Sequence, residues 1–261
     1  MSVTEDLRPK AKTALHEARM LIDGSWVHSL SGATLTVENP AKRQPIATIP
    51  RGDAADVSGA VEAAARAFPA WSRVAPRDRG RLLLRIADKM EAETEEMARI
   101  IALETGNALR TQARGEARLA ADIFRYFGGL ASELKGETIP LGEQVLSYTR
   151  REPLGVVGAI IPWNAPVLLG ALKIAPALCA GNTLVLKAAE DAPLGVLKMA
   201  EACQDFLPPG VLNVLTGLGP ECGGPLAQHP LVMKLSFTGS TEVGKIVMRA
   251  AAERIVPVSL E

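Results

Sequence analysis

The sequence TLVLKAAEDAPLGVLKMAEACQDFLPPGVLNVLTG, residues 183–217, contains the unit that decides the fold. Short apolar runs at 183–189 and 211–217 predict two strands, and the longer run between them at 193–206 predicts a helix. Both strands are apolar throughout, which is typical of parallel strands whose two sheet faces are covered. A strand, a helix and a strand joined by short loops predict a parallel βαβ unit.

The same alternation continues on both sides of this unit. Further strands are predicted at 154–163, 233–239 and 256–261, and further helices at 165–182, 220–230 and 241–254. Strand and helix alternate five times, and this pattern is typical of a parallel sheet with helices on its faces. The predicted fold class is therefore α/β, with a Rossmann-like parallel sheet covered by helices on both faces.

The first part of the chain is predicted to begin with strands and to continue with helices. LIDGSWV at 21–27 and ATLTVENP at 33–40 are the predicted strands. A helix follows from Asp53, with Asp53 or Asp56 as its cap. A second helical stretch runs from Pro76 to Gly106, and a third from near Thr111 to Leu134. GETIPLGEQVLSYTRREP at 136–153 then predicts a β-hairpin that projects as a contact arm.

Composition excludes several classes of partner. Lys plus Arg equal Asp plus Glu at 29 each, and aromatic residues make up only 4%, which argues against a nucleic-acid surface or an anionic membrane. No stretch approaches the roughly 20 apolar residues of a membrane span, and MSVTEDLRPKAK lacks the apolar core of a secretory signal. Cys179, Cys203 and Cys222 have no metal-ligand spacing, so they indicate reduced thiols in a cytoplasmic protein without a metal site.

The residues that carry chemistry fall where the predicted strands end. Ligands of an open parallel sheet bind beyond the carboxyl ends of its strands. The candidates there are Pro162, Trp163, Asn164, Lys187, Glu190, residues 217–219, residues 237–240, and Glu261. Because five separate loops agree, we expect a coenzyme site at this edge of the sheet.

Each candidate also has a simpler interpretation. Gly239 and Ser240 precede a helix whose unpaired N–H groups suit a phosphate, but a Gly-Ser pair is more often an ordinary helix cap. Lys187 and Glu190 suit a ribose hydroxyl, or equally an ordinary surface ion pair.

The two candidates nearest to a reaction centre also have alternatives. Asn164 fits an amide that donates to an oxyanion, although a turn Asn is the commoner case. Glu261 ends an apolar strand, which favours a raised pKa and action as a general base, against the alternative of a solvated carboxylate.

Taken together, these segments resemble the aldehyde dehydrogenase family. IPWNAPVLL resembles its P-W-N-x-P segment, and VLKAAEDAPL its L-K-P-(A/S)-E segment, with Ala188 where the family usually has Pro. LSFTGSTEVGK is nearly its F-T-G-S-T-x-x-G segment, and VSLE matches the first half of L-E-L-G-G-K. LIDGSWV and the ETG at 104–106 are similar as well, so the resemblance covers essentially the whole chain.

The resemblance implies oxidation of a small aldehyde to a carboxylic acid with NAD, with NADP as a possible alternative. It makes Asn164 the oxyanion amide and Glu261 the general base. The implied coenzyme-binding residues are Pro162, Trp163, Lys187, Glu190, Gly219, Phe237, Gly239 and Ser240. Lys187 and Glu190 would hold the adenosine ribose. Gly239 and Ser240 would face the pyrophosphate, and Gly219 would lie near adenine.

The resemblance also implies a division of the chain and a missing part. Residues 1–130 would be the amino-terminal part of the coenzyme-binding domain, 131–150 the hairpin arm for oligomerisation, and 151–261 the Rossmann-like NAD(P)-binding region. The family's nucleophilic Cys lies in a G-Q-x-C context a few dozen residues beyond Glu261, so we expect a chain truncated before the catalytic domain.

A truncated chain implies a particular assembly, and three other functions remain as alternatives to the aldehyde dehydrogenase. The chain would be a homo-oligomer, or would associate with the missing carboxy-terminal half. The first alternative is a catalytically inactive nucleotide-binding fragment, and the second is the remnant of a gene. An acyl-CoA-dependent semialdehyde dehydrogenase is the third alternative, and Glu261 argues against it because such an enzyme does not need that base.

Overall fold

The structure, a computed structural model, describes residues 16–261, so the statement about MSVTEDLRPKAK lies outside the described residues. The strands are β1 (His16–Glu17), β2 (Met20–Ile22), β3 (Ser25–Val27), β4 (Thr34–Asn39), β5 (Gln44–Pro50), β6 (Thr138–Pro140), β7 (Leu146–Tyr148), β8 (Val156–Ile160), β9 (Thr183–Lys187), β10 (Leu212–Leu215), β11 (Val232–Phe237) and β12 (Val258–Leu260). The α-helices are α1 (Ala54–Trp71), α2 (Pro76–Ala92), α3 (Thr94–Thr105), α4 (Arg114–Leu130), α5 (Pro166–Cys179), α6 (Leu194–Gln204), α7 (Gly224–Gln228) and α8 (Thr241–Arg254).

The main sheet has seven strands in the order β12-β11-β8-β9-β10-β2-β3. The first five are parallel, as the alternation predicts. The predicted sheet is extended by β2 and β3, which pair antiparallel at the β10 edge, so the complete sheet is mixed. The α/β class is confirmed, and a strand pair from the amino-terminal part completes the same sheet.

Helices cover both faces of this sheet, and the strands are buried on both sides. Leu184 and Leu186 of β9 belong to the core shared with α5 and α6. Val185 between them belongs to a second core that includes Val57 of α1 and Val247 of α8. Since successive side chains of a strand point to opposite faces, an unbroken apolar strand supplies both cores.

The amino-terminal part departs from its prediction in two places. The strands β1 and β5 were not predicted, and together with β4 they form a separate three-stranded sheet. The predicted helix from Pro76 to Gly106 is wrong as one element, because it breaks at Glu93 into α2 and α3. The hydroxyl of Thr94 donates to the carbonyl oxygens of Glu91 and Met90, and such local bonds compete with a continuous helix.

The predicted hairpin is present. The strands β6 and β7 pair antiparallel and form a two-stranded sheet of their own. Leu146 and Tyr148 on this arm are 80% and 65% exposed, respectively. Within residues 16–261 no helix is long and apolar enough to cross a membrane. In the same residues no cluster of three or more His, Cys, Asp or Glu side chains is arranged to hold a metal ion.

Candidate active site

Backbone hydrogen bonds bring the carboxyl ends of five parallel strands together. The N–H of Ile161 donates to the carbonyl of Lys187 at 3.2 Å, which joins the ends of β8 and β9, and that of Ala188 donates to Leu215 at 2.9 Å, which joins β9 and β10. The N–H of Thr238 donates to Ile160 at 3.1 Å, and that of Gly239 to Glu261 at 3.1 Å. All the candidate residues predicted from sequence follow or end one of these strands, so they share one edge of the sheet.

Lys187 and Glu190 form an ion pair at the end of β9. The Nζ atom of Lys187 lies 2.6 Å from Oε2 of Glu190, and the two side chains are 4% and 35% exposed. Burial alone would raise the pKa of the Glu190 carboxyl, but the hydrogen bond and charge of Lys187 outweigh it. A backbone N–H of Gly219 acts in the same direction, so the pKa lies below its usual value and the carboxylate is ionised. The carboxylate remains 35% exposed, so a hydroxyl from solvent can approach it.

After β11 the backbone turns at Gly239, and this turn brings Gly239 close to the aromatic ring of Phe237. A Cβ atom added to Gly239 would come within 2.5 Å of the Phe237 ring, so a side chain there would force the ring to move. Ser240 is the N-cap of α8, and its hydroxyl accepts from the N–H of Val243 at 3.3 Å. Ser240 therefore caps α8 with its side chain. The other first-turn N–H groups of α8 have no partner within the helix and suit an anion.

Asn164 lies in the loop between β8 and α5, and its side chain is exposed. The backbone carbonyl oxygen of Asn164 accepts from Nδ2 of Asn107 at 3.2 Å, which fixes the loop to the segment that follows α3. Trp163 beside it is 55% exposed and lines a cavity of about 470 Å³ with Thr36 and Asp191. Asn107 was not identified from sequence, because only the fold shows that residues 107 and 164 meet.

Glu261 lies against a buried lysine. Its Oε2 atom accepts from Nζ of Lys173 at 2.8 Å and from Oγ1 of Thr238 at 3.0 Å. The hydrogen bond from Lys173 holds the pKa of the Glu261 carboxyl below its usual value, against a smaller effect of burial. The predicted rise of this pKa is wrong, because the apolar strand ends beside a cation. Lys173 was missed, although it is the only charged residue in the otherwise apolar α5, which was a usable signal.

Two buried glutamates of the helical layer bind the starts of α5 and α6. Glu116 accepts from the N–H groups of Val167 and Leu168 at 2.9 and 3.3 Å. Glu104 accepts from those of Leu194 and Gly195 at 2.6 and 2.8 Å. Burial raises the pKa of both carboxyls, that of Glu104 to about 8. These helices follow the Asn164 and Glu190 loops, so both glutamates tie the helical layer to the site.

None of the three cysteines has the character of a nucleophile. Cys179, Cys203 and Cys222 are buried, and burial raises the pKa of each thiol, that of Cys222 to about 12. Since the thiolate is the reactive form, these thiols are inert at neutral pH. Their role is packing.

The sequence and the fold of the chain are similar to those of known enzymes. Residues 26–261 match the sequence model of the Aldehyde dehydrogenase family. The phenylacetaldehyde dehydrogenase of Pseudomonas fluorescens is 47% identical over 252 residues, which are 93% of this chain and 50% of that protein. The long-chain-aldehyde dehydrogenase of an Acinetobacter species is 44% identical over 92% of this chain and 48% of its own length.

Solved structures show the same similarity. The structure of PnpE in complex with nicotinamide adenine dinucleotide has a TM-score of 0.91 at 42% identity, over 94% of this chain and 50% of that one. The NAD+ complex of the aldehyde dehydrogenase from Bacillus cereus has a TM-score of 0.92 at 37% identity, with coverage of 94% and 51%. The chain belongs to the aldehyde dehydrogenase family. It spans about half the length of the curated relatives it matches.

Proposed function

We propose that this chain supplies the NAD site, and part of the catalytic site, of an enzyme that oxidises a small aldehyde to a carboxylic acid. The observation that carries the proposal is the ion pair of buried Lys187 with Glu190, on the same sheet edge as the start of α8. The similar structure of PnpE contains nicotinamide adenine dinucleotide, which supports NAD as the coenzyme. NADP is the less favoured alternative because Glu190 is ionised and repels a 2′-phosphate.

The residues at this edge fit the coenzyme. Lys187 and Glu190 would hold the adenosine ribose, and Gly219 would lie near the adenine. Gly239 and Ser240 would face the pyrophosphate, where a side chain at position 239 would collide with Phe237. Pro162, Trp163 and Phe237 would line the remaining walls. When bound, NAD accepts a hydride from the substrate.

The chain's own residues would then act on the aldehyde carbonyl and on water. The exposed amide of Asn164 would donate to the carbonyl oxygen as negative charge develops there, and Asn107 would hold that loop in place. Glu261 is a carboxylate at neutral pH and would accept a proton from the hydrolytic water, while its contact with Lys173 lowers its pKa and makes it a weaker base. In this enzyme class a Cys thiolate attacks the aldehyde, and we assign that thiolate to none of the three cysteines described above.

Three further assignments belong to this proposal. The chain divides into 1–130 and 151–261, which build the coenzyme domain, and 131–150, the hairpin arm. Exposed apolar side chains on the arm support its use in a homo-oligomer or against the remaining half of the enzyme. Three unpaired cysteines support a reducing, cytoplasmic location.

Calorimetry with NAD and AMP tests the coenzyme site. We expect Glu190→Gln to weaken binding of both nucleotides about tenfold, because a charge-assisted hydrogen bond to the ribose is lost. Glu133→Gln is the matched control, since Glu133 also pairs with a lysine at 2.6 Å but on an exposed turn. A folded sample that binds neither nucleotide contradicts the site.

Aldehyde turnover tests the assignment of the cysteines. We expect the 261-residue chain by itself to form no NADH from aldehydes, because its thiols are buried and protonated. Absorbance at the NADH band measures this. Steady NADH formation that Asn164→Ala abolishes would show that one of these cysteines is reactive after all.

A further inference from the structure

Arg51 and Glu221 form a bidentate ion pair and are not among the proposed coenzyme-binding residues. The Nε atom of Arg51 donates to Oε2 of Glu221 at 2.7 Å, and Nη2 donates to Oε1 at 2.5 Å. The carboxylate thus occupies one whole edge of the guanidinium fork, which is the edge that would also bind a phosphate.

Arg51 is fixed at the carboxyl end of β10, although it follows a strand of the other sheet. Its neighbour Gly52 donates to the carbonyl of Thr216 at 3.0 Å. The hydroxyl of Thr216 in turn donates to the carbonyl of Pro50 at 2.6 Å. A Cβ atom at Gly217 would lie 2.6 Å from the oxygen of Gly52, so the two segments are in close contact. The guanidinium therefore stands on the edge that carries the proposed coenzyme site.

Glu221 belongs to the π-helical turn Gly219–Gly223, which also bounds the proposed ribose site. The first residue of this turn, Gly219, contributes a backbone N–H that stabilises the Glu190 carboxylate. The strand that precedes this turn, β10, pairs with β9, and at their ends the N–H of Ala188 donates to the carbonyl of Leu215 at 2.9 Å. The two ion pairs, Lys187–Glu190 and Arg51–Glu221, therefore follow neighbouring strands at one edge of the sheet.

The cations of these two pairs, Lys187 and Arg51, are each held by a carboxylate. An exposed ion pair is usually a surface feature of little consequence, and both side chains here are about 40% exposed, at 41% and 39%. This pair differs from an ordinary surface pair because it lies at the sheet edge that carries the proposed coenzyme site. A phosphate on the adenosine 2′ oxygen adds close to two negative charges and is received in dinucleotide sites by a free arginine. Arg51 is an arginine at this edge, and Glu221 occupies its guanidinium.

We propose that Arg51 and Glu221 are coenzyme-selecting residues: Glu221 keeps Arg51 from binding a 2′-phosphate, and Arg51 becomes the 2′-phosphate receptor when Glu221 is neutral. This inference rests on the proposed NAD site and deepens it. Glu190 disfavours the phosphate by direct repulsion, whereas Glu221 acts by withholding the cation.

Calorimetry of the full chain with 5′-AMP and 2′,5′-ADP separates the two effects, because the ligands differ only by the 2′-phosphate. We expect Glu221→Gln to strengthen binding of 2′,5′-ADP about fivefold, from one released charge-assisted contact at a partly exposed site, and to leave 5′-AMP unchanged. The double variant R51Q/E221Q should lose the whole gain. Glu221→Ser provides a second neutral variant, should Glu221→Gln fold poorly.

Glu95→Gln is the matched control, because Glu95 forms an equivalent bidentate pair with Arg114 at 2.7 and 2.9 Å on the helical layer. It should alter neither affinity. If 5′-AMP binds but neutral Glu221 variants leave 2′,5′-ADP unchanged, or if the gain survives removal of Arg51, the selecting pair is overturned while the coenzyme site stands. If a folded sample binds neither ligand, the proposed function itself fails.

Discussion

Two pairs of helices beside the sheet begin in different ways. The helices α1 and α8 carry their own caps, Asp53 and Ser240, whose side chains accept from N–H groups two or three residues further on. The helices α5 and α6 follow Ala165 and Pro193, whose side chains cannot accept a hydrogen bond. Their first N–H groups are bound instead by the carboxylates of Glu116 and Glu104, which lie about 50 and 90 residues earlier in the chain. The comparison teaches that a local cap fixes one helix, whereas a remote cap also fixes two layers against each other.

The largest effect is expected at Glu104. Glu104→Ala leaves the N–H groups of Leu194 and Gly195 buried without an acceptor, which costs about 3 kcal/mol of unfolding free energy. Glu104→Gln retains one acceptor oxygen and should cost less than half as much. Urea unfolding followed by circular dichroism measures both, and equal losses for the two variants would contradict the remote cap.

Glu104 also predicts a pH dependence. Its pKa is raised to about 8 in the folded chain, against about 4.3 for an unfolded glutamate. The folded state therefore binds the proton more tightly, so this stabilisation is complete below the unfolded pKa and is lost as pH rises through 8. Repeating the unfolding between pH 5 and 9 should show a decline in the wild-type chain. Glu104→Gln should be flatter over the same range, and parallel curves would exclude this carboxyl as the cause.

A smaller and more local effect is expected at Glu116. Glu116→Ala removes the acceptor for Val167 and Leu168 and should cost about 2 kcal/mol, because this carboxyl is less deeply buried than Glu104. Hydrogen exchange resolved by residue should speed up at the first turn of α5 and leave α6 unchanged. Acceleration at both helices alike would mean that the two caps act as one unit.

The smallest effects are expected at the local caps. Asp53→Ala should cost about 1 kcal/mol and Ser240→Ala about 0.5 kcal/mol, because Ser240 is exposed and its bond is long at 3.3 Å. Thermal unfolding can rank these variants below both glutamates. A local cap that costs as much as Glu104 would remove the distinction between the two kinds of helix start.

The same distinction explains which features could be predicted from sequence. Strands and helices after Pro153 follow from apolar runs and short loops, and the Asp53 cap is visible in its own segment. The ion pair of Lys187 with Glu190 spans three residues and follows from the end of one strand. Asn107, Glu116 and Lys173 meet their partners 51 to 88 residues away. No local sequence pattern contains such contacts. The predicted direction of the pKa shift of Glu261 was wrong because the contact with Lys173 is not visible in the sequence.

The strand pair β2–β3 has a consequence for the order of folding during synthesis. Its contacts with β10 include the bond from the N–H of Asp23 to Oδ1 of Asn213, between residues 190 positions apart. At translation rates of about 5–20 residues per second, the early hairpin waits roughly 10–40 s for its partner strand to be made. During that time Met20 and Leu21, which are fully buried in the finished sheet, are exposed to water and to other chains. Slowed translation would lengthen this interval and favour capture of the hairpin by a chaperone or by a neighbouring nascent chain.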